Sequence, residues 1–185
     1  MSRIANPVIH HYERHAVEWD RDRQNSPWND KHWIAQFVAH LCKGADVLDL
    51  GCGSGRPIAQ FIVEQGLQMT RVDSSASMIS LCRRRLPDQI WIKADMRTLS
   101  LARKFDGILA WDSFFHLDHE DQRRMFAVFV EHTSEGAMLM FNTGPEHGAR
   151  RSGLIGAIPC TMPASMAPRI MICWSDQASR LSSTQ

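Results

Sequence analysis

Apolar residues in this chain change period every ten to fifteen positions, and the changes outline its elements. After a polar opening, Trp33, Ile34, Phe37, Val38 and Leu41 recur at 3.6-residue spacing, which predicts a helix with Asn29 or Asp30 as its N-cap. Residues 46–50 then form a short apolar burst that stops at Gly51, the pattern of a strand buried on both faces. Pro57 suits the first turn of a following helix that buries Ile58, Phe61 and Ile62 and ends near Gly66. The alternation continues with a strand at 69–72, a helix at 75–85 turning Met78, Ile79 and Cys82 inward, and strands at 90–92 and 105–110. A helix at 121–132 buries Met125, Phe126, Phe129 and Val130, and a strand follows at 137–141. Strand and helix trading places at these intervals predict crossover units, hence an α/β fold with a parallel sheet covered on both faces.

Composition narrows the function classes. The 185 residues suffice for one domain, and a formal net charge of +1 provides no global field toward nucleic acid or an anionic membrane. No 18 apolar residues follow one another, no basic start leads into an apolar run, and the five cysteines are scattered without CxxC or zinc-type spacing. The expectation is a reduced, cytoplasmic protein whose partner is a small molecule, with no nucleic acid, membrane or metal; oligomeric state is not encoded.

Open α/β sheets bind ligands beyond the carboxyl ends of their strands, and there this chain places Asp49-Leu50-Gly51-Cys52-Gly53-Ser54-Gly55. Glycines at 51, 53 and 55 let a flat or extended ligand lie against the backbone. Asp73 closes the second strand, where an acid can take both hydroxyls of a ribose. A dinucleotide fingerprint needs a third glycine where Arg56 stands, which argues against a nicotinamide-dependent oxidoreductase.

The order D-x-G-x-G-x-G resembles the first motif of class I (Rossmann-like) S-adenosylmethionine-dependent methyltransferases. Asp73-Ser74-Ser75-Ala76-Ser77-Met78-Ile79 is similar to that family's second-strand acid and following helix, and Ala94-Asp95-Met96 to its adenine-contacting motif. Residues 105–108 and 111–116 resemble its fourth strand and substrate-side loop, and the likeness spans about residues 8–147. It implies a three-layer αβα sandwich with a mostly parallel sheet, residues 1–147 forming the domain and about 1–43 a helical lid that includes His11-Tyr12-Glu13 and Trp19-Asp20. It implies S-adenosyl-L-methionine as cofactor: Asp49, Gly51 and Gly53 at the methionyl part, Asp73 at the ribose, Asp95 at the adenine amine and Met96 at the ring. Cys52, Gly55, Ser74, Met78 and Trp111 complete that set. The implied activity is methyl transfer to a small-molecule acceptor, with the atom methylated left open.

His116, just past the fourth strand, stands where it can deprotonate an acceptor or only shape the loop. With His119 it has metal-pair spacing, but no acid or cysteine cluster completes a site. Arg83-Arg84-Arg85 reads as a solvated helix face, His10, His11 and His15 as surface or lid residues. The likeness ends at residue 147. Residues 148–185 carry Pro159, Pro163, Pro168 and one apolar run, Ile170-Met171-Ile172, and lack the amphipathic helix and strand hairpin with which this fold ordinarily ends. Back-translated and read from the third base of each codon, residues 170–179 permit Tyr-Asp-Leu-Leu-Val-Arg-Ser-Gly-Phe, which resembles the family's continuation. We therefore read the tail as a shifted frame starting near residues 148–150, predicting missing or irregular final strands, an open sheet edge, and an inactive cofactor-binding remnant as the alternative function.

Overall fold

A computed structural model describes residues 5–143 and 169–174. Two helices open the chain, α1 (Ala5–Arg14) and α2 (Ala16–Asn25), followed by α3 (Lys31–Ala39). Then β1 (Asp46–Leu50), α4 (Ile58–Glu64), β2 (Gln68–Asp73), α5 (Ala76–Arg85), β3 (Ile90–Lys93), β4 (Phe105–Ala110), α6 (His119–His132), β5 (Thr133–Thr143) and β6 (Arg169–Trp174) alternate as the periodicity predicts. All pairings are parallel, in the order β3-β2-β1-β4-β5-β6. The chain winds outward from β1 through β3 and then returns to β4, so the strand order reverses between β1 and β4.

Alternate residues of each strand feed opposite faces. Leu48 and Leu50 of β1, Ile108 and Ala110 of β4 and Leu139 and Phe141 of β5 meet Met125, Val128 and Phe129 of α6. Val47, Leu109, Met138 and Met140 point the other way, onto Ile34 and Phe37 of α3 and Ile62 of α4. The expected α6 seam shifts by a residue or two: Val128 is buried, while Phe126 and Val130 are only partly covered. Helix α6 also starts two residues before the predicted position, because Asp118 caps it by accepting from the Asp121 N–H at 2.8 Å.

Arg71 interrupts the otherwise apolar strand β2. It is fully buried, its guanidinium 4.5 Å from the Trp91 ring centroid and donating to the Ala59 carbonyl at 3.3 Å. A cation survives there because the aromatic face and the carbonyl replace part of its hydration.

The sheet edge that the sequence leaves open at β5 is paired, and among the described strands the open edge lies one strand further out, at β6. The apolar run 170–172 lies in β6, which pairs with β5 from Met138↔Arg169 to Thr143↔Trp174 and so satisfies that backbone edge. This end strand runs parallel to β5, in keeping with an irregular close to the sheet. The rest of the tail, and with it most of the shifted-frame reading, lies outside the described residues.

Candidate active site

The strand reversal opens a cleft above the carboxyl ends of β1 and β4. Its floor is the turn after β1. Gly51 adopts φ +80°, and a Cβ there would lie 2.3 Å from the Ser113 Cβ and 3.0 Å from the Met96 methyl, so only glycine lets the β1 turn meet the β4 loop. Ser113 is fixed by its hydroxyl, which donates to the Leu50 carbonyl at 2.6 Å.

Asp73 ties this turn to β2. One carboxylate oxygen accepts from the Gly53 N–H at 2.9 Å and the other from the Ser75 N–H at 2.8 Å. Burial nonetheless raises its pKa to about 6, the two N–H donors opposing that rise. Asp49 is more enclosed, and burial lifts it to about 7 against the pull of Arg71. Both acids therefore keep unused attraction for a hydrogen-bond donor or a cation placed in the cleft.

Of the residues predicted to hold a cofactor, Asp49, Gly51, Cys52, Gly53, Asp73, Ser74, Met78, Asp95, Met96 and Trp111 all line the cleft, as does His116. Gly55 does not. At φ +78° a Cβ there would sit 2.9 Å from the Trp91 ring and 3.3 Å from the Cys82 sulfur, so the third glycine serves packing beneath the loop. The Asp95 carboxylate is already engaged by Arg97, which also pairs with Asp121 at 3.0 Å. Burial raises the Cys52 thiol well above its usual range, with Cys82 adding to the rise, so it is a packed thiol rather than a nucleophile.

Of the segment 1–43 expected to cover the cleft, α1 and α2 reach it through Tyr12, Trp19 and Arg23, whereas α3 packs through Ile34 and Phe37 against one face of the sheet. Three polar contacts, none of them evident from periodicity, hold α1 and α2 down. Glu13 accepts from the Ser75 hydroxyl at 2.6 Å and from the Ser77 N–H and hydroxyl at 3.1 and 2.9 Å, at the start of α5. Arg85 pairs with Asp20 and donates to the Ser54 carbonyl at 3.1 Å, so this arginine joins α5, lid and glycine turn and is not part of a solvated face. Arg23 pairs at 3.0 Å with Asp112, which also accepts from the Asn142 amide at 2.9 Å. The sequence pointed to the segments involved, His11-Tyr12-Glu13, Trp19-Asp20, the 73–79 motif and the 111–116 loop, but not to these pairings.

The lid also brings Tyr12 to His116, with 3.0 Å between the phenol oxygen and Nε2. Burial, helped by His11, pushes His116 down to about 4, and burial, with Asp112 and Asp73, pushes Tyr12 up to about 12. At neutral pH both groups are uncharged. Among the described residues no group of three or more metal-ligating side chains occurs, and no helix is long and apolar enough to cross a membrane.

Residues 47–136 match the family model described as a methyltransferase domain. The chain is 30% identical over 110 residues to dTDP-3-amino-3,4,6-trideoxy-alpha-D-glucopyranose N,N-dimethyltransferase of Streptomyces venezuelae, covering 58% of this chain and 46% of that protein. It is 43% identical over 72 residues to trans-aconitate 2-methyltransferase of Azoarcus sp. (strain BH72), covering 38% of this chain and 28% of that one. The chain thus spans less than half the length of these curated relatives. In fold it is similar to the N-methyltransferase NodS from Bradyrhizobium japonicum WM9, crystallised with S-adenosyl-L-homocysteine: TM-score 0.62 at 19% identity, over 72% of this chain and 71% of that one. The matched segment runs from β1 through the glycine turn and Asp73 to the start of β5, is similar in sequence to the methyltransferase-domain family, and has the Rossmann-like fold of the class I methyltransferases.

Proposed function

We propose that this chain transfers a methyl group from S-adenosyl-L-methionine to a nitrogen of a small-molecule acceptor. The observation that carries the reading is the pairing of the crowded Gly51–Gly53 turn with Asp73 and Asp49 at the strand reversal. The residues fit the cofactor's chemistry: two buried acids with raised pKa values suit the ribose hydroxyls and the methionyl ammonium, and Met96 and Met78 supply apolar wall. When bound, S-adenosyl-L-methionine supplies an electrophilic methyl on a sulfonium.

The protein's part is positioning and exclusion of water. Asp73 keeps lone pairs free beside its two backbone contacts and can accept from ribose hydroxyls. Tyr12 stays protonated and, with Nε2 of His116 as acceptor, donates to it; the phenol oxygen is then left to accept an N–H and so aim an amine's lone pair inward. A neutral His116 places no positive charge beside that amine. The name of the Streptomyces venezuelae relative, an amino-sugar N,N-dimethyltransferase, supports nitrogen as the atom methylated. A small molecule rather than nucleic acid as partner, supported by the near-neutral charge, and a cytoplasmic location, supported by five scattered cysteines without CxxC or zinc-type spacing, belong to the same proposal.

The test is incubation with S-adenosyl-L-methionine and a panel of amino sugars, carboxylic acids and phenols, read by mass spectrometry. Methylated amines support the reading. Methyl esters or ethers without methylated amines reject nitrogen as the acceptor atom.

A further inference from the structure

The cleft has a second chamber that the cofactor residues do not reach. Arg23 and Arg56 line both the cleft and an adjoining pocket formed by the end of α2, the segment after it and the start of α4. No acidic side chain lines that pocket; Gln24, Ser26 and Gln60 supply neutral hydrogen-bonding groups and Trp28, edge-on to Phe61 with 5.4 Å between centroids, supplies a wall. Arg56 is exposed and donates to the Gln24 side-chain oxygen at 3.3 Å, and among the described residues no carboxylate is paired with it. Arg23 uses one amino group on Asp112, leaving N–H donors toward the shared wall.

Two guanidiniums facing a pocket without acids make an anion site, because each can grip a carboxylate or phosphate with paired N–H donors. We propose that Arg23 and Arg56 form a specificity subsite for an anionic group, phosphate or carboxylate, carried by the acceptor at a distance from its methylated atom. The inference rests on the methyl-transfer reading for its meaning, not for its chemistry. The site lies on the lid side of the glycine turn, so the anion and the cofactor bind together.

The experiment is calorimetric titration of the full chain, saturated with S-adenosyl-L-homocysteine, with inorganic pyrophosphate in one arm and citrate in the other. Saturable millimolar binding is expected, weakened at least fivefold in Arg56→Gln, largely retained in Arg56→Lys and reduced by added salt. The tighter arm identifies phosphate or carboxylate. S-adenosyl-L-homocysteine affinity should stay within twofold in Arg56→Gln, which also shows that the variant is folded. Equal binding by wild type and Arg56→Gln overturns the subsite. So does competition between pyrophosphate and S-adenosyl-L-homocysteine, which assigns the arginines to the cofactor's own carboxylate. Arg56-dependent pyrophosphate binding without any S-adenosyl-L-homocysteine binding keeps the subsite and overturns the methyltransferase reading instead.

Discussion

Replacing Gly51 with alanine separates two demands that the β1 turn makes on one residue. Gly51, Gly66 and Gly136 all have positive φ, at +80°, +81° and +72°. At Gly66 and Gly136 nothing lies within 4 Å of an added Cβ, so alanine there meets only the left-handed backbone penalty, about 1–2 kcal/mol. At Gly51 the same penalty is joined by overlap with Ser113 Cβ at 2.3 Å and Ser113 Oγ at 2.9 Å. Ser113 cannot retreat without loosening its hydrogen bond to the Leu50 carbonyl, itself in the sheet's central strand. Forced overpacking adds about 1–3 kcal/mol and the strained hydrogen bond about 1 kcal/mol, so with the backbone penalty Gly51→Ala should cost about 3–6 kcal/mol, against about 1–2 kcal/mol for Gly66→Ala. Urea denaturation of the single variants measures both, and Gly51→Ala/Ser113→Gly should recover the overlap part but not the backbone part. A Gly51→Ala cost no larger than that of Gly66→Ala, or no recovery in the double variant, refutes the steric account of the turn.

Three further outcomes follow from named contacts. Arg85→Met removes a partly buried ion-pair partner of Asp20 and should cost about 2–3 kcal/mol, with amide exchange accelerated in α1 and α2 far more than in α6; uniform acceleration contradicts a lid-specific role. His116 is lowered from 6.5 to about 4 by burial, so the unfolded chain binds the proton first and its contribution to stability is lost as pH falls from 6.5 toward 4. At pH 5 that amounts to about 2 kcal/mol relative to pH 7, and His116→Gln should flatten the slope by this amount; parallel pH profiles for the two proteins dismiss the buried-neutral assignment. The gene's nucleotide sequence should contain an open frame, reached by a one-base change near codons 148–150, that encodes Tyr-Asp-Leu-Leu-Val-Arg-Ser-Gly-Phe across residues 170–179; its absence ends the shifted-frame reading.

Elements buried on both faces were legible because their signal is local. β4 carries its whole apolar run between two polar breaks and occupies Phe105–Ala110 as predicted, and the Asp49-to-Gly55 turn announces a backbone constraint through its glycines. The links that close the site are not local. Glu13 to Ser75, Asp20 to Arg85 and Tyr12 to His116 join residues 62, 65 and 104 positions apart, and nothing in a polar helix face says which charge will find a partner across the cleft. Gly55 shows a second limit: glycine records that a side chain does not fit, but Trp91, not a ligand, is what excludes it. β6 shows a third, since a short apolar run among prolines has no periodicity and becomes a strand only because the β5 edge stands beside it.

The central claim is that the glycine turn and Asp73 hold S-adenosyl-L-methionine, and calorimetric titration with S-adenosyl-L-homocysteine, with NADH as control, tests it most directly. The wild-type chain should bind S-adenosyl-L-homocysteine saturably in the micromolar range and NADH not at all. Asp73→Asn, which loses a charge-assisted acceptor contributing about 2 kcal/mol, should bind roughly 30-fold more weakly, and wild-type affinity should fall as pH drops below about 6, where Asp73 takes up its proton. A folded chain that prefers NADH, or that binds S-adenosyl-L-homocysteine equally with and without the Asp73 carboxylate, contradicts the account.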